Sequence, residues 1–361
     1  MRRKTRNFML GAVGIGSDHP VTIQSMCNTR TADIDATLSQ IGRVAAAGCD
    51  IIRVSADGAG DTAALHTICR RSPIPVIADI QFSGESAIAA IEAGCAGIRV
   101  NPGIISDEKL LARIARAAVA NQTVIRVGAN AGSLKLHQLE KLVSSGVPEK
   151  DALAQLLCDA VLEQCRMLEK YGVEKIKAAV KSSDIAVTLK AYRKFAAMGD
   201  WPLHLGLTEA GSCEKGIMRS AVAIGSLLCD GIGDTIRVSL TAEPEAEIAA
   251  ALSIIEACGI GENSVEIISC PTCGRTEIDL IGLVKKVEEL VKQLQTKAKK
   301  IPYRKIAVMG CPVNGPGEAR HADIGIAGSR HGQLIIFRKG EVLGAYNESE
   351  AFARFAELLG Q

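Results

Sequence analysis

The sequence predicts an α/β protein in which a (β/α)8 TIM barrel, residues 1–261, is followed by a small α+β domain, residues 262–361. Three observations carry that expectation. A strand signature recurs in Ile52-Arg53-Val54-Ser55, Ile98-Arg99-Val100-Asn101, Ile125-Arg126-Val127-Gly128 and Ile236-Arg237-Val238-Ser239. Further β-type runs fill the gaps: Val21-Thr-Ile-Gln-Ser25, Pro75-Val-Ile-Ala-Asp79, Lys175-Ile-Lys-Ala-Ala-Val180 and Pro202-Leu-His-Leu-Gly-Leu-Thr208, which brings the total to eight. Amphipathic helical segments alternate with these runs, and eight such units over roughly 250 residues imply a closed parallel barrel. An open doubly wound sheet is the alternative, but no G-x-G-x-x-G opens a helix after the first strand.

Taken in order, the basic lead-in Met1-Arg-Arg-Lys-Thr-Arg-Asn reads as a disordered or edge-strand segment. No adequate apolar stretch follows it, so it does not read as a signal peptide. Helical patterns cover 31–47 and 84–93. The longest gap, between Arg126 and Lys181, holds a polar stretch over 136–150 before a helix over 151–170. A helix over 243–258 ends the barrel. In the second domain a strand over 264–269 ends at Cys270, a long helix covers 277–300, and a strand over 305–309 runs up to Cys311. A hairpin over 333–337 and 341–346 and a helix over 350–359 close the chain.

Composition narrows the function. The 361 residues are 47% hydrophobic but only 3% aromatic, with a net charge of +2, which argues against a base-stacking or basic nucleic-acid binder. No apolar run approaches membrane-spanning length. The twelve cysteines form no disulfide-like framework, so a reducing cytoplasm fits. Cys49, Cys69, Cys95, Cys158, Cys165, Cys229 and Cys258 lie in Ala/Leu-rich helical contexts and read as small buried hydrophobes.

Side chains alternate faces along a strand, so Ile and Val of the repeated signature face the helices while Arg and Ser face the barrel interior. Parity then sends Arg53, Ser55, Asp79, Gln81, Arg99, Asn101, Arg126, Asn130, Lys181, Arg237 and Ser239 inward near the C-terminal mouth. Some of these cations can be absorbed by ion pairs with Asp79, Asp184 and Glu209. Five inward cations against so few carboxylates would still repel one another unless an anion binds, and Arg forks match phosphate oxygens. A phosphate- or diphosphate-bearing substrate follows.

Two cysteine motifs carry the remaining chemistry: Cys270-Pro-Thr-Cys273, and Cys311 opening Cys311-Pro-Val-Asn-Gly-Pro-Gly-Glu318. Three thiolates with no fourth leave one metal position for a weaker group or a substrate. Zinc and an iron–sulfur cluster both accept thiolates. Glu318 is the nearest fourth ligand or else a solvated loop carboxylate. His321 is a further option, or a surface residue.

These motifs, together with Leu203-His-Leu-Gly-Leu-Thr208-Glu209-Ala-Gly211, Gly231-Ile-Gly-Asp-Thr-Ile-Arg237-Val-Ser239, Arg99-Val-Asn101-Pro-Gly103 and Gly128-Ala-Asn130-Ala-Gly-Ser133, resemble the 4-hydroxy-3-methylbut-2-enyl diphosphate synthase family in its short bacterial form. The resemblance runs from about residue 5 to about residue 330. It implies a TIM barrel plus a small domain holding a [4Fe-4S] cluster on Cys270, Cys273, Cys311 and Glu318. It implies reductive ring opening of 2-C-methyl-D-erythritol 2,4-cyclodiphosphate with electrons from flavodoxin or ferredoxin. It implies substrate contacts from Arg53, Arg99, Asn101, Arg126, Asn130, Lys181, Thr208, Glu209, Arg237, Ser239 and Asn314. Glu209 is then a candidate proton donor, or else a charge partner of Arg237 or Lys181, and Glu318 a catalytic ligand. The family also implies a head-to-tail homodimer with an active site shared between subunits. Chain order suggests the same, because the helix after the eighth strand returns to the foot of the barrel.

The chain departs from the family's pattern at Gln81 and Ser83, where the family usually has His and Asp, and at Pro312 in place of Val. Gln cannot carry a proton at neutral pH, so a proton-delivery role at position 81 is in doubt. A zinc-stabilised barrel lyase or aldolase, for which Lys181 occupies a Schiff-base position, and a non-catalytic electron carrier are the competing function classes.

Overall fold

A computed structural model describes residues 1–81, 83–100, 108–130, 134, 136–261, 265–276, 278–296, 301–329 and 332–360. The chain forms two compact units, Met1–Cys258 and Gly259–Gln361.

The first unit opens with a hairpin, β1 (Phe8–Leu10) and β2 (Val13–Ile15). The barrel strands are β3 (Thr22–Met26), β4 (Ile51–Ser55), β5 (Val76–Ile80), β6 (Gly97–Val100), β7 (Val124–Ala129), β8 (Ile176–Val180), β9 (His204–Leu205) and β10 (Thr235–Ile236). All pair in parallel in the order β8-β7-β6-β5-β4-β3-β10-β9. A parallel bridge between Ala178 and Leu203 brings β8 back to β9 and closes the ring. The outer helices are α1 (Ile34–Ala46), α2 (Ala59–Arg71), α3 (Gly84–Glu92), α4 (Glu108–Ala120), α5 (Leu136–Ser144), α6 (Glu149–Lys170), α7 (Ile185–Ala196), α8 (Cys213–Ser220), α9 (Ser226–Cys229) and α10 (Pro244–Ala257). Local chemistry sets several starts. Asp33 caps α1 by accepting from Ala36 N at 3.1 Å, and Asp184 caps α7 by accepting from Val187 N at 2.9 Å. Ser83 caps α3 in the same way, accepting from Ser86 N at 3.3 Å.

The basic lead-in is ordered and runs into the short edge strand β1, so of the two sequence readings, disordered or edge-strand, the disordered one falls. Leu10 and Ile15 are fully buried against Ile51, Ile77 and Val124, residues at the first turns of three barrel strands, so the hairpin plugs the N-terminal end. The arginines before it find acids: Arg2 with Asp234 at 2.9 Å, Arg6 with Glu169 at 2.6 Å and with Asp200 at 2.7 Å. Asp234 also accepts from Leu203 N at 2.7 Å, so one buried carboxylate ties the lead-in to β9 and β10. The polar stretch after β7 is helical, as α5. Cys229 is exposed and Cys69 and Cys258 are half-buried, unlike the fully buried Cys49, Cys95, Cys158 and Cys165.

The second unit is a five-stranded sheet in sequential order: β11 (Glu266–Ser269), β12 (Lys305–Met309), β13 (Ile324–Gly328), β14 (Leu334–Arg338) and β15 (Glu341–Tyr346). The first three run parallel and the last two antiparallel. The helices α11 (Leu280–Thr296) and α12 (Glu348–Gly360) bury Val287, Phe355 and Leu359 on one face. Ala307, Met309, Ala327 and Phe337 form a smaller core on the other, where Cys270 packs.

Candidate functional site

On the barrel strands the apolar parity turns outward: Ile52, Val54, Ile98, Ile125, Val127 and Ile236 are buried in the layer beneath the helices. The opposite parity faces a cavity of about 240 Å³ at the C-terminal ends of the strands. Arg53, Arg99, Arg126, Lys181 and Arg237 line it, with Asp79, Gln81, Asn130, Thr208 and Ser239. Ser55 turns instead to Thr31, with their hydroxyls 3.2 Å apart. Gly206 is favoured by this packing, because a Cβ there would come 2.7 Å from the Arg237 backbone oxygen and would also crowd the Lys181 ammonium.

The charges are unbalanced. Asp79 is the carboxylate inside the cavity, 3.2 Å from Arg99 and 3.6 Å from Arg53. Burial pushes Asp79 upward, but Arg53, Arg99 and Arg126 outweigh it and hold the acid below its ordinary range. Glu247 of α10 stands 3.6 Å behind Arg237, accepts from Ser25 Oγ at 2.8 Å and receives the Leu240 N–H at 3.0 Å. The Met26 thioether sits between cations, 2.9 Å from Arg53 Nη2 and 3.7 Å from Arg237 Nη1. Arg126 has the poorest surroundings. Among the described residues its buried Nε and Nη1 have no hydrogen-bond partner. Burial first, then Arg53 and Arg99, pull its pKa well down. Lys181 is lowered for the same reasons, with Arg126 and Arg237 its nearest repelling charges. Orphaned guanidinium donors in a cationic cavity are the complement of an anion with several oxygens.

Gln81 is tied to the cavity's acid: its Nε2 donates to Asp79 Oδ2 at 3.1 Å. Glu209 follows Thr208 with a left-handed backbone, φ +53°, which a non-glycine residue adopts at a cost. Glu209 lines a neighbouring groove with Lys150, Asp184 and Arg219 rather than the cationic cavity, its backbone oxygen accepting from Arg219 Nη1 at 3.4 Å, and among the described residues it makes no ion pair with Arg237 or Lys181. Asp184 pairs with Lys150 at 2.7 Å, outside the cavity. Asn101 lies outside the described residues.

In the second unit the parallel strands β11 and β12 end side by side, which brings the two cysteine motifs together. Gly310 N donates to Cys270 Sγ at 3.1 Å, and Cys311 Sγ lies 3.7 Å from Asn314 Oδ1. A Cβ at Gly310 would meet Thr276 Oγ1 at 2.8 Å, so glycine lets the Cys311 loop approach the Cys273 loop. Hydrogen bonds from the Arg275 backbone and side chain hold the Cys273 thiol below its usual pKa, and Cys311 and Glu318 are close enough to raise Arg275. Val313–Gly317 forms a π-helical turn and Glu318 begins the 3-10 turn after it. Among the described residues no three His, Cys, Asp or Glu side chains converge closely enough to grip one ion. A tetrahedral zinc site needs donors within about 2.0–2.3 Å of one centre.

The GcpE TIM-barrel domain model matches residues 5–252, and the GcpE protein C-terminal domain model matches residues 266–361. The chain belongs to the GcpE family. GcpE relatives named 4-hydroxy-3-methylbut-2-en-1-yl diphosphate synthase (flavodoxin) include proteins of Nocardia farcinica (strain IFM 10152), 45% identical with 100% of this chain and 92% of the relative aligned, and Parafrankia sp. (strain EAN1pec), 47% identical with 97% and 88% aligned. The Desulfotalea psychrophila (strain LSv54 / DSM 12343) relative of the same name is 45% identical, with 99% and 95% aligned. Among solved structures, N-acetylneuraminic acid synthetase from Leptospira borgpetersenii aligns at a TM-score of 0.50 and 13% identity, over 83% of this chain and 100% of that one. Dihydropteroate synthase from Xanthomonas albilineans aligns at 0.50 and 14%, over 71% and 98%. These structural likenesses speak for the barrel alone.

The deeper interior of this GcpE barrel lies below the positions that strand parity picks out at the mouth. Lys177, Gln24 and His204 are buried there on inward positions. The run Lys175-Ile-Lys already signalled Lys177. Glu247 and Met26 had no such signal, since one lies on a helix and the other reads as an ordinary apolar residue.

Proposed function

We propose that this chain is a 4-hydroxy-3-methylbut-2-en-1-yl diphosphate synthase that reductively opens 2-C-methyl-D-erythritol 2,4-cyclodiphosphate with electrons from flavodoxin. The cavity carries the reading: five cations from five strands surround a space in which two Arg126 donors find no partner among the described residues, in a chain aligned almost end to end with relatives of that name. The reaction takes up two electrons and two protons, breaks a carbon–oxygen bond of the ring and releases one water. Arg53, Arg99, Arg126, Lys181 and Arg237 hold the diphosphate and stabilise negative charge on the oxygen that leaves carbon. Asn101, Asn130, Thr208 and Ser239 orient the carbon skeleton by hydrogen bonds, and Asn314 contributes from beside the thiols. Glu209, one residue beyond Thr208, is the proton donor of this reading, and it reaches the departing hydroxyl by turning from the neighbouring groove toward the cavity mouth.

Cys270, Cys273, Cys311 and Glu318 are the ligands of a [4Fe-4S] cluster in this reading. Three thiols and a carboxylate on two adjoining loops suit a cluster whose irons each take one protein ligand, with the carboxylate at the exchangeable one. The Gly310 N–H on Cys270 sulfur is the kind of hydrogen bond that tunes such a centre. When bound, the cluster supplies single electrons and a Lewis-acidic iron. A reducing cytoplasm, where the twelve thiols stay free, and a head-to-tail homodimer complete the proposal.

The test is anaerobic purification followed by iron and sulfide analysis and turnover of the cyclodiphosphate with reduced flavodoxin. A brown protein that forms the allylic diphosphate is the expected result. A colourless zinc protein, or a brown one inert toward the cyclodiphosphate, would overturn the reading.

A further inference from the structure

The barrel interior stays polar beneath the cavity. Lys177, Ala179 and Lys181 are successive inward positions of β8 and its end. Ala179 and Lys181 line the cavity, so Lys177 is the next step toward the foot. Lys177 is fully buried and donates to Gln24 Oε1 at 3.3 Å. Nearby, His204 Nδ1 meets Thr235 Oγ1 at 2.7 Å, while the buried His204 Nε2, Gln24 Nε2 and Thr22 Oγ1 have no partner among the described residues. The charges facing Lys177 are Arg126 from β7, Arg53 from β4, Lys181 above it on its own strand, and Asp234 from the foot. Asp234 is already engaged by Arg2, Thr5 and the Leu203 N–H. His204 on β9, surrounded by Lys181, Arg126, Lys177 and Arg53, is held neutral by burial and by these cations.

We propose that Lys177 is the floor of the phosphate site and takes up a proton from solvent only when phosphate charge enters the cavity above it. The inference rests on the substrate reading given above. An empty cavity leaves the amine with burial and two arginines against it and one shared acid for it. These pull Lys177 down from 10.5 to about 7. An anion held by Arg53 and Arg126 reverses the local field and restores the ammonium. The site then gains a further cation only for a ligand with enough negative charge, which favours a diphosphate over a singly charged analogue. Small side chains at Gly128 and Ala179 separate Lys177 from the cavity, so the field of the bound anion reaches it through a thin, low-dielectric layer.

Calorimetry tests this. The cyclodiphosphate is titrated anaerobically into the holoenzyme at about pH 8, in buffers of low and high ionisation enthalpy. The slope of observed against buffer enthalpy counts the protons taken up. Each phosphorus of the ligand bears one carbon ester, one anhydride bridge and a single strongly acidic hydroxyl that is fully ionised at that pH, so protons land on the protein. The expected wild-type result is uptake of a sizeable fraction of one proton, with affinity falling up to about tenfold per pH unit between roughly pH 7.5 and 9. Lys177→Met and Lys177→Arg should both lose that fraction, and Lys177→Arg should keep tight, pH-flat binding. A wild type that binds and turns over the ligand with no proton uptake, or variants with the wild-type slope, would overturn the inference while leaving the substrate reading intact. A wild type that does not bind the cyclodiphosphate overturns both. The wild-type slope decides the matter even where a variant fails to fold.

Discussion

At the residue scale, the decisive groups are those whose partners are missing or outnumbered. Removing Arg126 with Arg126→Ala should cost roughly 2–5 kcal/mol in kcat/KM, as for a buried charge-assisted contact. Wild-type kinetics in both Arg126→Ala and Arg237→Ala would place the substrate elsewhere. Lys177 gives a stability prediction with a definite sign. Its amine sits at about 7 in the folded chain against 10.5 unfolded, so the unfolded chain binds more protons between those values and stability rises with pH across that window. The burial penalty is greatest below about pH 7, on the order of a few kcal/mol. Lys177→Met should therefore raise Tm, by more near pH 6.5 than near pH 9.5, and an equal shift at both would refute the linkage. Among the thiols, Cys270→Ser, Cys273→Ser and Cys311→Ser should each lose iron, whereas Glu318→Ala should retain much of the iron and lose turnover. Equal iron loss in all four would remove Glu318 from the exchangeable position. Much of the cavity was legible at this scale because strand parity is a rigid rule. Arg53, Arg99, Arg126, Lys181 and Arg237 fall together on it. Glu209 shows the limit: parity ends with the strand, and past Thr208 a left-handed backbone sets the next residue against another groove.

At the scale of elements, the barrel was readable because each strand brings its own repeated signature, whereas two features depended on contacts distant in sequence. The lead-in hairpin looks like a charged tail until Asp200, Glu169 and Asp234 are brought to the barrel foot. Leu10→Ala should then cost about 2–5 kcal/mol by chemical denaturation, the range for a buried leucine, and an effect within experimental error would show that the plug adds nothing. The strand β13 was missed for a different reason. Its run Ile324-Gly-Ile-Ala-Gly328 is glycine-rich, and glycine weakens a strand locally. Across the sheet Gly325 pairs with Phe337, whose ring occupies the space a Cβ would need, so the aromatic supplies the packing that glycine lacks. The inserted β13 also gives β12 a parallel neighbour on each side, which fixes the strand end from which the Cys311 loop departs.

At the scale of the whole molecule, the proposed reaction asks two compact units to act on one substrate. The cations belong to Met1–Cys258 and the thiols to Gly259–Gln361. The helix α10 runs antiparallel to the strands, as each βα unit reverses direction, and Leu252 on it lies against Gly48 just before β4, toward the barrel foot. The chain therefore leaves the barrel unit on the side opposite the cationic mouth. Residues 259–265 alone join Cys258 to β11, and fully extended they span at most roughly 25 Å. In the proposed head-to-tail homodimer each thiol unit would serve its partner's cavity, which needs no long linker and would yield two equivalent sites. Subunit complementation checks it. Cys270→Ser and Arg126→Ala chains, each inactive alone, are mixed under conditions where exchange is followed by differently tagged chains. In a mixed dimer with shared sites, one site carries both defects and the other carries neither. Activity should then return toward about a quarter of the wild-type level, since half the dimers are mixed and each has one intact site. Confirmed exchange with no recovered turnover would mean that cavity and thiols of the same chain work together, and the head-to-tail arrangement would fall.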